Sequence, residues 1–463
     1  MLNEQDNELL TRVGPGTAMG DLLRRFWLPI LLADQLPGPD CPSVRVRLLG
    51  EDLVAFVDTS GRPGLIAAGC AHRLANLYFG RNEEDGLRCV YHGWKFDVKG
   101  RCVDMPTEPL DSSFKDKVRV RAYTLRLAGG IYWAFMGDQE RIPALPLLPL
   151  LQVPDANRFV IKRHQASNFL QAIEGGIDSA HTRYLHTTLE FYKRGPAYLA
   201  AIEPLLERFR KDPNSLDSNQ LDMIFRTADK APRIMAMRTG YGLAIGARAT
   251  VEGMSYWRFN QFMMPFYTLP PRDAGGHAFV PIDDENTWVF TFKANLDKPL
   301  MASEVQVLKS GHTAGPFGAP VDDSYYPLAN PSNDFQLDRK MQRSYNFTGI
   351  MGGGNQDSAM QVSMGPVVDR TQEHLGVTDV GIIEMRRLLL DSVRDLQEGK
   401  EPLAASQPEA YAGVRGISLM RPQETPFESC VSDVLERLKK THQRLVSMQA
   451  EEGPGGPYVL VGG

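Results

Sequence analysis

Two short stretches of the chain combine thiol and imidazole side chains at close spacing. Cys70 is followed by His72, and Cys89 is followed by His92. Thiolates and imidazoles are metal ligands, and two of each could surround one zinc ion. Zinc sites of this composition usually pair cysteine with cysteine and histidine with histidine along the chain. Here each pair is mixed, which leaves a zinc site, or a set of unrelated residues, as the less favoured alternatives.

A two-iron cluster accounts better for the mixed pairs. In a Rieske [2Fe–2S] centre two cysteines hold one iron and two histidines hold the other. Two loops that each contribute one cysteine and one histidine meet this requirement when they lie side by side. Gly93 and Gly100 follow the second pair and allow tight turns there. The composition of the pairs therefore favours a Rieske-type cluster at these four residues.

A second group of ligand-type residues, Asp178, His181 and His186, lies further along the chain. Mononuclear Fe(II) sites that activate O2 use two histidines and one carboxylate, which leaves other coordination positions open. Residues 167–190 read as helical, and on a helix side chains five positions apart point ~140° from each other. Both histidines can therefore reach one iron only if the helix ends or bends between them. Hydrogen-bonded histidines without a metal are the alternative.

The residues alone do not fix the carboxylate that would complete such a site. Asp178 is close in sequence to the histidines, and further candidates occur far downstream at Asp334, Asp338, Asp357 and Asp369. Three glycines, residues 352–354, precede Asp357 and would let the backbone pass close to a metal.

The elements that must position these residues form two parts. Short β-rich runs between turns from about residue 43 to 140 predict a small antiparallel β domain with the first four residues on its loops. Strands near 241–252, 254–268 and 286–295, with a helix at 379–398, predict an antiparallel sheet flanked by helices. The expected fold is therefore α+β, with an N-terminal segment (1–42), a small β domain (43–145) and a larger domain (146–463).

Composition limits the classes of function. The chain has 463 residues, of which 43% are hydrophobic and 23% charged, as expected for a two-domain globular protein. The net charge of −5 and the lack of a basic run argue against nucleic-acid binding. We expect no membrane association and a cytoplasmic location, because the sequence shows neither a leader-like N-terminus nor an apolar run of membrane-spanning length.

The first motif, CxH…CxxHGW at residues 70–94, resembles that of the Rieske non-haem iron aromatic ring-hydroxylating oxygenases. Respiratory Rieske proteins carry two further cysteines that form a disulfide, and Ala75 and Tyr91 stand in those places here. One difference from the family pattern is that Ala71 and Leu74 replace its usual proline and glycine.

Two later stretches resemble the phthalate dioxygenase-like branch of this family, as its oxygenase alpha subunit. They are NFLQAIEGGIDSAHTRYLH (168–186) and NQDSAMQVSMGP (355–366). The resemblance implies a [2Fe–2S] cluster held by Cys70, His72, Cys89 and His92, and a mononuclear Fe(II) held by His181, His186 and Asp357. It also implies that Asp178 links the two centres, through hydrogen bonds to His181 and to His92 of a neighbouring subunit, with Glu174 in support.

The activity implied is that of a terminal mono- or dioxygenase. An NADH-dependent reductase would supply electrons to the cluster, and O2 would hydroxylate or O-demethylate an aromatic substrate at the iron. A homotrimer or stacked homotrimers are implied, because electrons would pass between subunits. The alternative is a Rieske electron-transfer protein whose larger domain only binds a partner.

The sequence does not identify the substrate-binding residues. An aromatic carboxylate could pair with Arg238, Arg248 or Arg258. Apolar side chains that could shape a pocket are Met263, Met264 and Phe266.

Overall fold

The computed structural model describes residues 2–229, 231–271, 274–311 and 319–452, and the account below concerns these residues. The first part of the fold contains two short helices and ten strands. They are α1 (Glu4–Thr11), α2 (Ala18–Leu23), β1 (Trp27–Leu32), β2 (Val44–Leu48), β3 (Glu51–Val57), β4 (Pro63–Ala67), β5 (Arg81–Glu83), β6 (Gly86–Arg88), β7 (Lys95–Phe96), β8 (Cys102–Asp104), β9 (Ala122–Ala128) and β10 (Ile131–Phe135).

These strands form two antiparallel sheets, which confirms the small β domain expected from the sequence. The larger sheet has the order β1-β10-β9-β4-β3-β2, and the smaller has the order β5-β6-β7-β8. The smaller sheet shares its own core with Cys70, Cys89 and Trp94. Cys70 follows β4 of the larger sheet and Cys89 follows β6 of the smaller sheet, so the two Cys/His loops come from different sheets.

The second part of the fold combines a large sheet with helices. Its elements are α3 (Pro149–Gln152), β11 (Arg158–Gln165), α4 (Phe169–Ile177), α5 (Leu189–Lys193), α6 (Pro196–Lys211), α7 (Ser218–Ala228), β12 (Arg233–Arg238), β13 (Gly242–Val251), β14 (Met254–Met263), β15 (Tyr267–Leu269), β16 (Ala274–Pro281), β17 (Thr287–Ala294), α8 (Ala302–Ser310), α9 (Arg339–Ser344), α10 (Gly353–Ser363), α11 (Val380–Gln397), β18 (Ile417–Pro422) and α12 (Phe427–Glu452). The sheet is antiparallel, in the order β11-β17-β16-β15-β14-β13-β12, and β18 also pairs with β14.

The helix α4 packs on β15 and β16 and ends just before the ligand-type residues Asp178, His181 and His186. The helix expected over 167–190 is wrong in its length, because α4 ends at Ile177. Two glycines at 175 and 176 weaken the helix near its end. Asp178 then adopts an extended conformation, and its carboxylate accepts the backbone N–H groups of Ala180 and His181. A 3-10 turn, His181–Arg183, follows.

Other predicted elements differ less from the structure. The helix expected at 379–398 is present as α11, and the strands expected at 241–252 and 286–295 are present as β13 and β17. The single strand expected over 254–268 is wrong: β14 ends at Met263, and the chain turns through Pro265 before β15.

The N-terminal segment packs on both parts of the fold. Helices α1 and α2 lie against α11, and β1 pairs with β10. One hydrophobic core runs from the larger N-terminal sheet into the second part, and Trp133 and Phe169 belong to the same cluster. The boundaries at residues 42 and 145 therefore stay predictions. No described helix combines the length and apolar character needed to cross a membrane.

Candidate metal centres

The two Cys/His loops have the same backbone hydrogen bonds. In the first loop Leu74 N donates to Cys70 O and Cys70 N donates to Ala75 O, at 2.8 and 2.9 Å. In the second loop Gly93 N donates to Cys89 O and Cys89 N donates to the carbonyl of residue 94, at 2.9 and 2.8 Å. The fourth residue after each cysteine has a positive φ, +60° at Leu74 and +78° at Gly93. Each cysteine therefore begins the same tight turn.

These turns place the thiols inside and the imidazoles outside. Cys70 and Cys89 are buried, and the Nδ1 atoms of His72 and His92 lie 3.1 Å apart near the surface. The ring of His72 also stacks on Trp94, with 4.5 Å between centroids. A thiol pair beside an imidazole pair fits a two-iron cluster, with each pair on its own iron.

Electrostatics at the thiol pair also favour a bound metal. Burial raises the pKa of Cys70 to about 11, against a smaller lowering by the backbone N–H of His72, and the neighbouring Cys89 raises it further. A thiol with so high a pKa becomes a thiolate only beside a strong positive charge, which the irons of a cluster supply.

His181, His186 and Asp357 come together although 171 residues separate Asp357 from His186. His181 lies in the 3-10 turn after α4, and Asp357 lies on α10. His186 Nε2 is 3.0 Å and His181 Nε2 is 3.5 Å from Asp357 Oδ1. Among the described residues this is the group of three ligand atoms that lie within 4.8 Å of one another. Two imidazoles and one carboxylate, all partly buried, fit a mononuclear Fe(II).

The two histidines are oriented by different groups. His181 Nδ1 lies 3.2 Å from Asp178 Oδ2, and His186 Nδ1 lies 2.7 Å from Gln356 Oε1. The Gln356 amide is itself held, because its Nε2 donates to Ile350 O at 2.9 Å. In both cases the partner accepts from Nδ1–H, so Nε2 faces Asp357 and is the atom that would bind a metal.

Charge compensation keeps both aspartates ionised. Burial would raise the pKa of Asp357, but the hydrogen bond and charge of His186, with His181 and Arg163, bring the pKa below its ordinary value. The pKa of Asp178 is also lowered, because its bonds to His181 and to backbone N–H groups outweigh burial. Both carboxylates therefore carry a negative charge toward the metal site at neutral pH.

A buried ion-pair network anchors α4 behind the site. Glu174 accepts hydrogen bonds from Arg370 at 2.9 Å and from Arg386 at 2.7 Å. Arg370 is fully buried, and Arg386 also pairs with Glu373. The charges of the two arginines lower the pKa of Glu174, although burial opposes them. Glu174 thus anchors the helix that leads to Asp178.

Two glycines let α4 approach its neighbours closely. A Cβ atom on Gly175 would collide with the side-chain amide of Gln361, and one on Gly176 would lie 2.6 Å from Thr268 Oγ1. The same two glycines line a cavity of about 170 Å³, and His181, His186 and Asp357 line it as well.

The opposite wall of this cavity comes from the sheet and includes Arg258 and Asn260 of β14 and His277 and Phe279 of β16. Of the three arginines considered from the sequence, Arg258 lies in the cavity wall, with its Nε 2.9 Å from Asp222 Oδ1. Arg238 is exposed and pairs with Asp391, while Arg248 lies over the ring of Trp257.

The apolar residues considered for the pocket lie elsewhere. Met263, Met264 and Phe266 are fully buried in the main core and are not among the residues that line the cavity.

The remaining aspartates considered from the sequence do not belong to this group of three described ligand residues. Asp338 and Asp369 cap the starts of short helices, and Asp334 lies exposed with a positive φ. Sequence reasoning missed Gln356, Asn260 and His277. Gln356 is adjacent to Asp357, which is the one signal that could have found it.

Comparisons with known proteins agree with this geometry. A family model described as "Rieske [2Fe-2S] domain" matches residues 26–119, and one described as "LigXa C-terminal domain like" matches residues 214–437. The first match contains both Cys/His pairs, and the second contains the cavity strands and Asp357.

Three relatives match most of the chain. The oxygenase subunit of phthalate 4,5-dioxygenase from Pseudomonas putida is 38% identical, over 88% of this chain and 90% of its own length. That of 3-chlorobenzoate-3,4-dioxygenase from Comamonas testosteroni is 35% identical, over 94% and 99%. That of 5,5'-dehydrodivanillate O-demethylase from Sphingobium sp. (strain NBRC 103272 / SYK-6) is 31% identical, over 87% and 83%.

All three are oxygenase subunits, which supports an enzyme rather than an electron-transfer protein with a non-catalytic second domain. The chain belongs to the Rieske non-haem iron aromatic ring-hydroxylating oxygenases, in their phthalate dioxygenase-like branch, with a [2Fe–2S] cluster and a mononuclear iron as cofactors.

Proposed function

We propose that this protein is a terminal oxygenase that hydroxylates or O-demethylates an aromatic carboxylic acid with O2, using electrons from NADH through a separate reductase. One observation carries the proposal: the ligand atoms of His181, His186 and Asp357 meet at the wall of a cavity that also contains Arg258. When bound, the cluster supplies single electrons and Fe(II) supplies the site of O2 activation.

The residues of the chain bind and orient these groups. Cys70, His72, Cys89 and His92 would hold the cluster. His181, His186 and Asp357 would hold the iron, with Asp178 and Gln356 keeping a proton on the Nδ1 atoms of its histidines.

Arg258 would bind the carboxylate of the substrate. It is 7% exposed, so water competes weakly for its guanidinium. A guanidinium offers five N–H donors, more than one carboxylate uses, so it can hold Asp222 and a substrate carboxylate together. The names of two relatives, phthalate and 3-chlorobenzoate dioxygenases, refer to aromatic acids.

The proposed assembly is a homotrimer or stacked homotrimers. The rings of His72 and His92 lie near the surface, next to the large exposed apolar side chains of Leu74, Val90 and Tyr91. Apolar side chains of this size are expected at protein interfaces. In a trimer this face would pack near the next subunit's Asp178, which would then link the cluster to the iron of that subunit.

An oxygen-uptake assay with NADH and a compatible reductase tests the proposal. Phthalate, 3-chlorobenzoate and a methoxylated benzoate are the substrates, and toluene is the uncharged control. We expect coupled O2 and NADH consumption with an acid, and product mass separates dihydroxylation, monohydroxylation and demethylation. If none of the aromatic acids causes consumption of O2 and NADH, the proposal is contradicted. A content of two irons per chain instead of three would also contradict it.

A matched pair of variants tests the carboxylate site. Arg258→Leu should raise KM for the acid by about 100-fold, because a charge-assisted bidentate contact is lost. Arg238→Leu removes an exposed arginine of the same sheet and should leave KM unchanged. Equal KM values in both variants would show that Arg258 does not bind the acid.

A further inference from the structure

Trp94 is a buried aromatic residue of the second Cys/His loop that does not belong to the ligand set. It is 4% exposed and shares the core of the small sheet with Cys70 and Cys89. Its indole stacks on the imidazole of His72, which belongs to the other loop, with 4.5 Å between the ring centroids and 16° between the ring planes. Trp94 therefore joins the two loops at one of the four ligand residues.

The surrounding contacts hold this ring pair in place. The carbonyl of Trp94 accepts a hydrogen bond from Cys89 N at 2.8 Å, and the ring of Phe114 meets the indole edge-on at 5.9 Å. The Nδ1 atoms of His72 and His92 approach each other to 3.1 Å, as atoms that bind one iron would. Stacking covers a face of the His72 imidazole and leaves its ring nitrogens, which lie in the ring plane, available to a metal.

The other ligand histidine, His92, has no stacked aromatic ring among the described residues. The ring of Tyr91, its neighbour in the chain, lies at 4.1 Å and is tilted by 48°. Tyr91 is 59% exposed, whereas Trp94 is buried. The two imidazoles therefore have different aromatic surroundings, and His72 is the one that rests on a buried ring.

Stacking on an indole affects the charge that an imidazole can carry. The face of an indole is negative because of its π electrons, and it attracts positively charged groups. An imidazole that binds an iron is electron-poor, and it becomes less so when the iron centre gains an electron. The contact with Trp94 is therefore stronger in the oxidised state than in the reduced state. An interaction that favours the oxidised state lowers the reduction potential, which in iron–sulfur centres depends on the surroundings of the cluster.

We propose that Trp94 is a positioning residue for His72 and that its indole face lowers the reduction potential of the [2Fe–2S] cluster. A lower potential makes the reduced cluster a stronger electron donor toward the mononuclear iron. The inference concerns the cluster and not the aromatic substrate, so it goes beyond the proposed activity and does not depend on it.

Two substitutions of similar volume test the role of the indole face. Trp94→Phe keeps an aromatic face beside His72, whereas Trp94→Leu removes it. Both variants lose the indole N–H, which is buried without a hydrogen-bond partner among the described residues, and both open similar space to water. The difference between the two variants therefore reports the aromatic face alone.

Redox titration of the holoenzymes, followed by the EPR signal of the reduced cluster, measures the midpoint potentials. We expect the more positive potential in Trp94→Leu, with an equilibrium constant for one-electron reduction about threefold greater than in Trp94→Phe. Tyr91→Leu removes the exposed ring beside His92 and should shift the wild-type potential less than Trp94→Leu does. Equal potentials in the two Trp94 variants overturn the proposal, and so does a shift in Tyr91→Leu as large as that in Trp94→Leu.

A measurement on the unsubstituted sequence decides the question if a Trp94 variant does not assemble its cluster. Fluorinated tryptophan has nearly the size of tryptophan and a less negative ring face. The chain has five tryptophans, and the other four belong to or pack against the main core rather than the core of the small sheet: Trp27, Trp133, Trp257 and Trp288. Protein made with fluorinated tryptophan should therefore have a more positive cluster potential, which rises with each added fluorine. An unchanged potential overturns the proposal.

Discussion

The two candidate metal sites, the Cys/His loops and the group of His181, His186 and Asp357, are built in opposite ways. The four cluster residues lie within 25 consecutive residues, 70–94, on two loops with the same backbone hydrogen bonds. His181 and His186 lie in the segment after α4, and Asp357 lies on α10. Strands of the large sheet complete the cavity beside these residues. One site is therefore a local structure that a short motif encodes, and the other exists only once the whole second part has folded.

The surroundings of the two regions differ as well. The cluster histidines lie near the surface beside exposed apolar side chains, and the ion pairs of the small sheet, such as Glu83 with Arg88, are partly exposed. Around the iron-type residues the charges are buried and paired, as in the Glu174–Arg370 pair. An electron-transfer site must meet a partner, whereas a site of O2 chemistry benefits from excluding water.

The largest expected effect is the independent loss of each centre. Asp357→Ala removes a ligand from the iron site, so the iron content should fall from three to two per chain, since two irons belong to the cluster. Oxygen uptake should be abolished, while the Rieske EPR signal stays. Cys70→Ser should do the reverse and keep the mononuclear iron.

Asp369→Ala is the matched control for Asp357, because Asp369 is an exposed helix cap in the same segment. It should keep three irons and activity. If Asp357→Ala retained its iron, the proposed ligand set would be wrong.

The next largest effect concerns the buried charges. Glu174→Gln leaves the fully buried Arg370 without its carboxylate and should destabilise the protein by about 3 kcal/mol. Because the folded-state pKa of Glu174 is lowered, the carboxylate stabilises the fold above its unfolded pKa of 4.5, and this contribution is lost as the pH falls further.

Urea unfolding at pH 7 and pH 4 measures this effect, and the difference between wild type and variant should shrink at the lower pH. Glu83→Gln in the small sheet is the exposed counterpart and should change stability little. An equal effect of the two substitutions would remove the contrast between the regions.

Asp178→Asn tests the connection between the regions. The amide can still contact His181, so both metals should be kept, but coupled turnover should fall by about 100-fold. Metal analysis together with the ratio of NADH consumed to product formed measures this. Loss of the mononuclear iron would instead mean that Asp178 is the ligand and Asp357 the supporting acid.

The smallest effect lies in the first cluster loop. Leu74 has a positive φ and is 80% exposed in the subunit, so Leu74→Gly should relieve backbone strain and stabilise the fold of the subunit by about 0.5 kcal/mol. The equivalent Gly93→Ala should destabilise, because its Cβ would lie 2.5 Å from Pro106 Cγ. Chemical unfolding, followed by the absorbance of the cluster, compares the two variants. If both substitutions changed the free energy of unfolding in the same direction, the two loops would not be equivalent.

The sequence predicted most of what is local. The mixed pairs at 70–72 and 89–92 predicted a two-iron cluster, and the large sheet and α11 follow from residue periodicity. It also predicted that a single helix could not carry both His181 and His186. The helix in fact ends at Ile177, before both of them, because consecutive glycines and the Asp178 turn stop it.

What depends on distant packing was not predictable in this way. Asp357 could be chosen among the downstream aspartates only through family resemblance, since the fold alone brings α10 to the end of α4. Asn260 and His277 read as ordinary strand residues, and they become functional candidates once β14 and β16 face one cavity. The sequence does not distinguish Arg238, Arg248 and Arg258 as candidates for the cavity. Only their positions on the strands show that Arg258 lines it.

The two glycines at the end of α4 have a consequence for protein engineering. A larger residue at Gly175 or Gly176 would require Gln361 or Thr268 to shift, so this side of the cavity is the less suitable one for diversification. The sheet side presents Asn260, His277 and Phe279, of which Asn260 also donates hydrogen bonds to Ile177 O and Ser179 Oγ at the end of α4. A library designed to alter substrate range should therefore vary His277 and Phe279 and keep Asn260 and the glycine pair constant.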